Sequence, residues 1–175
     1  MQDEANHEEV RIEHLAEHID AGRTDVVLTV ASWIQEEWGH SFLEMTFEEL
    51  VSELEARTTH CSIPETFVAL EDDRLVGTAS IVRHDMSTCL ELSPWLSAVY
   101  VPPEDRNRGI GSKLVRRSMQ EAEMLGVKRL HLFTPDKMKF YTRLGWKVIE
   151  HTRYYGEDVA IMSYEIEAPY QGDAC

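Results

Sequence analysis

The chain is short of cysteine, of long apolar runs and, over its first 105 residues, of positive charge, and each shortage excludes something. Cys61, Cys89 and Cys175 are odd in number and scattered, with no Cys-x-x-Cys pair and no histidine at ligand spacing. A disulfide framework and a zinc site are therefore not expected, and the three read as free thiols. No stretch approaches the roughly 20 apolar residues of a membrane span. The segment Met1–Glu9 is acidic where a secretion signal would be basic and then apolar. The expectation is a soluble cytoplasmic protein with no membrane partner. No histidine, cysteine and carboxylate cluster has metal-ligand spacing and no Ser/His/Asp set stands out, so neither a metal nor a serine nucleophile is predicted. Repeats and low-complexity linkers are missing too. With 175 residues and 43% hydrophobic content, one domain spanning 1–175 is expected, with 1–8 and 168–175 as frayed tails.

What is present is unevenly distributed. The net charge of −15 divides into −18 over residues 1–105, +8 over 106–147 and −5 over 148–175. A basic island in an acidic chain argues for one local polyanion rather than a nucleic-acid surface, because tracking a phosphate backbone needs positive charge spread along a face.

That island opens on the most informative stretch. An apolar strand, Trp95-Leu-Ser-Ala-Val-Tyr-Val101, runs through a Pro-Pro turn into Arg106-Asn-Arg-Gly-Ile-Gly111 and a helix. The first N–H groups of a helix lack partners and sit at the positive end of its dipole, so this turn is an anion site. It is not a dinucleotide fingerprint, since the third glycine would fall at Leu114, and no Lys-Ser/Thr follows at Walker spacing.

Around it, Glu9–Leu15 alternates as a short strand. Asp25–Trp38 places Val26, Val30, Trp33, Ile34 and Trp38 at helical spacing, an aromatic stripe read as core rather than as a substrate wall. Thr46-Phe-Glu-Glu49 is a capping box that starts a helix to about Arg57. Thr66–Glu71 and Leu75–Arg83 form a hairpin, with Gly77 marking a bulge. From Gly109 a helix turns Ile110, Leu114, Val115, Met119, Ala122 and Leu125 inward and stops at Gly126. Val127–Phe133 is a strand with an apolar Leu130/Leu132 side, and Thr134-Pro-Asp136 caps a short helix to Leu144. Trp146–Glu150 and Val159–Ile166 finish as paired strands around a Tyr154-Tyr-Gly156 turn. Periodicity and spacing alone thus give an α/β chain with an anion-binding turn.

Arg106-x-x-Gly109-x-Gly111, entered from an apolar strand and followed by an amphipathic helix, resembles the pyrophosphate loop of the GNAT superfamily of acyl-CoA N-acyltransferases. Phe140-Tyr-Thr-Arg-Leu-Gly-Trp146 is similar to that family's Tyr-x-x-x-Gly-Phe segment, with Trp for Phe. The likeness is close from Trp95 to Trp146 and extends by element order to about Glu9–Glu167. It implies a mixed, mostly antiparallel central sheet of about seven strands flanked by helices. It also implies an acetyl-CoA-dependent N-acetyltransferase that moves an acetyl group to a primary amine by direct attack in a ternary complex. A catalytically silent acyl-CoA sensor is the alternative, and a homodimer is left open.

On that resemblance, the amides of Arg106, Asn107, Arg108, Gly109, Ile110, Gly111 and Ser112 hold the diphosphate, with the side chains of Arg106, Arg108 and Lys113 adding charge. The backbone of Val99, Tyr100 and Val101 lies beside the pantetheine and offers one N–H as an oxyanion donor. Tyr141 takes the place of the family's general acid, a phenol protonated at neutral pH. The family often carries Asn where this chain has Thr134, which sets that contact aside. A lysine-like amine near pKa 10.4 loses its proton at a cost of about 4.6 kcal/mol at pH 7, an α-amine near 7.8 at about 1 kcal/mol. His84, Asp85, Glu91, His131 and a water stand level as the base that the first class needs. Glu36, Glu37, Glu44, Glu48 and Glu49 form either an acidic solvated face or a lure for a cationic small-molecule or peptide acceptor.

Overall fold

The computed structural model describes residues 9–42, 44–58 and 62–166. The sheet is built from β1 (Arg11–His14), β2 (Glu65–Glu71), β3 (Arg74–Val82), β4 (Trp95–Tyr100), β5 (Arg129–Thr134), β6 (Lys147–Tyr154) and β7 (Glu157–Glu165). Its order is β1-β2-β3-β4-β5-β7-β6, antiparallel at every step except β4–β5. The helices are α1 (Leu15–Asp20), α2 (Thr24–Trp38), α3 (Phe47–Glu55), α4 (Ile110–Met124) and α5 (Met138–Arg143). This is the mixed seven-stranded α/β architecture expected, with α1 as an unforeseen addition and β6 four residues longer at its end. No described helix is long and apolar enough to cross a membrane. The proposed frayed tails, Cys61 and Cys175 lie outside the described residues, and Cys89 is a free thiol.

Local chemistry explains the elements. At the start of α3, Thr46 Oγ1 accepts from Glu49 N at 3.2 Å and Glu49 Oε2 accepts from Thr46 N at 2.8 Å, a closed capping box. The β6–β7 turn consists of Tyr155 and Gly156, both at positive φ, the two-residue geometry whose twist suits a hairpin. Gly77 stands beside a register shift between β2 and β3. A Cβ there would meet Leu114 Cδ1 and Tyr100 O, each at 2.9 Å, so glycine is what lets α4 approach the sheet.

One face packs Ile110, Leu114, Val115 and Ala122 of α4 on Phe67, Ala79, Ile81, Leu96, Leu130 and Leu132. Burying each such side chain stabilises the fold by about 1.5–3 kcal/mol. The other face carries α1, α2 and α3 over Val68 and Leu70, and a separate cluster of Met86, Trp95, Tyr154, Val159 and Ile161 over the β5–β7 half.

Between the end of β1, β2 and α4 lies a charged group that the hydrophobic pattern gives no sign of. Glu65 and Glu121 are buried. His14 Nδ1 pairs with Glu65, and Arg117 reaches His14 Nε2 at 3.0 Å and Glu121 Oε2 at 2.6 Å. Arg117, one of the cations of the basic island 106–147, therefore faces the sheet. The Glu65 hydrogen bond, offset by burial, raises His14 above its ordinary 6.5. A raised histidine contributes stability fully below 6.5 and loses it as pH rises through the higher folded value. Urea midpoints are expected to fall with rising pH across that window in the wild type. In His14→Gln this dependence should flatten, and an unchanged slope would remove His14 as its source.

Candidate active site

Two features of the backbone build the site. On β4, Ser97 and Tyr100 pair with Ser80 and Thr78, so three steps on one strand match two on the other, and Ala98 takes up the difference at φ +51. A non-glycine residue in this region costs of order 1–3 kcal/mol. The bulge turns β4 away from β5, and the two strands pair only at Trp95 and His131. Beyond that point they splay into a V.

At the open end of the V, Asn107 and Gly109 adopt left-handed conformations at φ +63 and +80 and lead into α4. Among the described residues, no acceptor meets the backbone N–H of any residue from Asn107 to Ser112; the first bond is Lys113 N to Gly109 O at 3.1 Å. A Cβ on Gly109 would meet nothing within 4 Å, so this cradle is open on the ligand side. The turn is held from behind. Arg74 grips buried Asp105 through both carboxylate oxygens at 2.7 and 2.9 Å, and Arg108 donates to Asp105 at 2.6 Å and pairs with Glu71. The Arg74 hydrogen bonds hold Asp105 below the usual carboxylate range. The Arg108 guanidinium thus anchors the loop from behind. Arg106 donates Nε to Val101 O at 2.9 Å and lies over the Tyr100 ring.

Within the V is a cavity of about 540 Å³. Its apolar wall is Ile34, Trp38, Phe42, Leu96, Val99 and Phe133; its charged groups are Glu37, Asp85, Asp136, Glu157 and Lys137, the last paired with Asp136. Tyr141 lines it too, and no described residue hydrogen-bonds its hydroxyl. Burial, then the charges of Asp136 and Asp85, push the Tyr141 phenol up, so it is protonated throughout the physiological range. Asp85, half-buried, accepts from Ser97 Oγ at 2.9 Å. Burial pushes its carboxyl up to about 6 against the opposing pull of the Ser97 hydrogen bond and the Arg57 charge.

The geometry sorts the candidates. Of His84, Asp85, Glu91 and His131, Asp85 alone lines the cavity; His84 and Glu91 are exposed elsewhere. His131 is buried with Nδ1 on Pro94 O at 3.2 Å, and burial pushes its pKa down. Of Val99, Tyr100 and Val101, Val99 lines the cavity, whereas the Tyr100 ring packs on Trp33 and Trp38. Thr134, set aside on the resemblance, does line it, its Oγ1 accepting from Lys137 N at 2.9 Å. Trp38 packs against the helical core cluster, as expected, and also forms part of the cavity wall. Among the acidic arm only Glu37 reaches the cavity; Glu44, Glu48 and Glu49 line a separate shallow cleft on α3. Asp136 and Glu157 were missed, since an acid in a bend or at the first position of a strand carries no periodic signal. Among the described residues, no group of three or more His, Cys, Asp or Glu could hold a metal.

The mixed, mostly antiparallel seven-stranded sheet flanked by helices is a fold shared with GNAT acetyltransferases of solved structure. Residues 63–148 match the family model described as an acetyltransferase (GNAT) domain, so the resemblance read from Arg106–Gly111 and Phe140–Trp146 holds. No curated protein matches in sequence. Among solved structures, a GNAT-family acetyltransferase from Streptococcus pneumoniae is similar with a TM-score of 0.65 at 17% identity, covering 90% of this chain and 99% of that one. An aminoglycoside 6'-N-acetyltransferase complexed with coenzyme A gives 0.67 at 16% identity, over 91% and 99%. The yncA protein of Salmonella typhimurium with its cofactor acetyl-CoA gives 0.62 at 19% identity, over 95% and 98%. Identities this low establish a shared fold.

Proposed function

We propose that the protein is an acetyl-CoA-dependent N-acetyltransferase acting on a primary amine of a cationic small molecule or peptide, by direct attack in a ternary complex. The observation that carries this reading is that a half-buried carboxylate, Asp85, and an unpartnered phenol, Tyr141, open on one cavity where β4 and β5 part. The amide-lined turn abuts the same place: a Cβ added at Gly111 would stand 3.5 Å from Phe140 Cζ, on the neighbour of Tyr141.

The residues present fit coenzyme A. The free N–H groups of Asn107 to Ser112 and the open space at Gly109 suit a diphosphate, with Arg106 and Lys113 adding charge. Acetyl-CoA bound there supplies an acetyl group activated as a thioester. Val99, the residue of the three that lines the cavity, offers its N–H to the acyl oxygen, a donor worth about 3 kcal/mol as charge develops. Asp85 takes the proton that the amine nitrogen gives up as it bonds to the acyl carbon. As the carbon–sulfur bond breaks, Tyr141 gives its proton to the sulfur, and Asp85 and Tyr141 then exchange protons with solvent to return to their starting states. Glu37 and Glu157 leave the cavity with excess negative charge, which favours a cationic acceptor.

Thiol release from acetyl-CoA with a panel of mono-, di- and polyamines and basic peptides tests the reading. Amine-dependent release supports it; saturable coenzyme A binding with no release from any acceptor would point to the silent sensor. Tyr141→Phe is expected to lower turnover at least about tenfold with little change in coenzyme A affinity. An unchanged rate would retire Tyr141 as the acid.

A further inference from the structure

We propose that Arg57 is the positioning residue for the base: a buried guanidinium, moored on a row of hydroxyls that crosses three strands, holds Asp85 in its working form. The inference rests on the reading of Asp85 above. Arg57 follows α3, where the sequence pattern marks only a helix end, and its side chain is 10% exposed. Its Nη1 donates to Thr66 Oγ1 at 2.7 Å and to Ser80 Oγ at 3.3 Å, and those two hydroxyls are 2.9 Å apart. Thr66 is opposite Ser80 on β2 and β3, Ser80 is opposite Ser97 on β3 and β4, and Ser97 Oγ donates to Asp85 Oδ1. Arg57, Thr66, Ser80, Ser97 and Asp85 thus form a polar band on one face of the sheet, ending at the cavity wall.

The band is poorly explained as a device for stability. A buried guanidinium is costly unless its donors are matched by a close carboxylate. Here the nearest ion pair is 3.8 Å away, on the solvent-exposed Glu53, and the buried Nε meets no acceptor among the described residues. Burial accordingly pulls Arg57 below its ordinary value, while the charges of Glu53 and Asp85 oppose that shift. A methionine would fill the space at less cost. The cation makes sense as the counterweight to a carboxylate that must stay ionised in a half-buried place.

Asp85 has few other supports. Ser97 faces it from β4; across the cavity stand Glu37 of α2, His40 in the turn that follows, Asp136 and Lys137 ahead of α5, Tyr141 of α5 and Glu157 of β7. Three of these are carboxylates, and Lys137 is already paired with Asp136. Without Arg57, burial would push the Asp85 carboxyl further up and shrink the ionised fraction that can accept a proton from an amine.

The test is a carbon-detected NMR titration of the Asp85 carboxyl, assigned by its loss in Asp85→Asn, in the wild type, Arg57→Met and Arg57→Lys. Arg57→Met is expected to move the midpoint upward, because an opposite charge favours the ionised carboxylate, and Arg57→Lys to recover most of the shift. A folded Arg57→Met with an unmoved midpoint would overturn the proposal. Should that variant not fold, Thr66→Val, which removes the 2.7 Å mooring and keeps the shape, is expected to shift the midpoint in the same direction. An unmoved midpoint there would overturn the proposal equally. The two readings fail differently: thiol release unaffected by Asp85→Asn removes the base, whereas a rate that depends on Asp85 with a titration indifferent to position 57 removes only Arg57.

Discussion

Asp85→Asn is expected to lower kcat/KM for amine acetylation by about 10²–10³ at neutral pH, the range of a general base. The asparagine keeps the size of the side chain and a hydrogen bond to Ser97 but cannot accept a proton from the attacking amine. The pH dependence follows from the sign of the shift. Burial pushes Asp85 up to about 6, and the base works only when ionised. The rate of the wild type should therefore rise with pH through about 6, and this acid limb should vanish in Asp85→Asn. Coenzyme A affinity, measured by calorimetry, should be unchanged, because the amide cradle lies outside the cavity wall that Asp85 forms. A rate within a factor of about three of the wild type, with the limb intact, would return the role to water.

Gly109→Asp is the second large effect. The residue sits at φ +80, where a side chain is strained by about 1–2 kcal/mol, although aspartate tolerates the region better than most. Nothing within 4 Å crowds the new Cβ, so the protein is expected to fold. What changes is the ligand side: a carboxylate takes the space in front of the free N–H groups and repels a diphosphate. Coenzyme A affinity should fall at least about 100-fold, equivalent to about 2.7 kcal/mol. Gly109→Ala, which adds the strain without the charge, should lose much less. Equal losses in the two variants would mean that backbone conformation and not charge governs the loop.

The features legible in the sequence are those set by neighbours in the chain. The capping box at Thr46, the bulge at Gly77, the apolar Leu130/Leu132 side of β5 and the anion turn all rest on spacing or on a residue type that a backbone conformation demands. The six-residue α1 is too short to show a period. Asp85 could not be separated from His84, Glu91 and His131 because a polar residue in a connection, or opposite the apolar side of a strand, carries no record of what it faces. Its place follows from the bulge at Ala98, which parts β4 from β5, and from Ser97, twelve residues on. Arg106 and Arg108 look alike in the sequence, yet Arg108 is held by Glu71, 37 residues earlier. Arg57 is the extreme case, since its partners on β2 and β3 are matched to it by register alone.

The most direct test of the account is calorimetric titration of the unmodified protein with coenzyme A and with acetyl-CoA. Saturable one-to-one binding that Gly109→Asp removes is the predicted result. No binding by either compound would contradict the central claim that the turn from Asn107 to Ser112 holds the diphosphate of an acyl carrier.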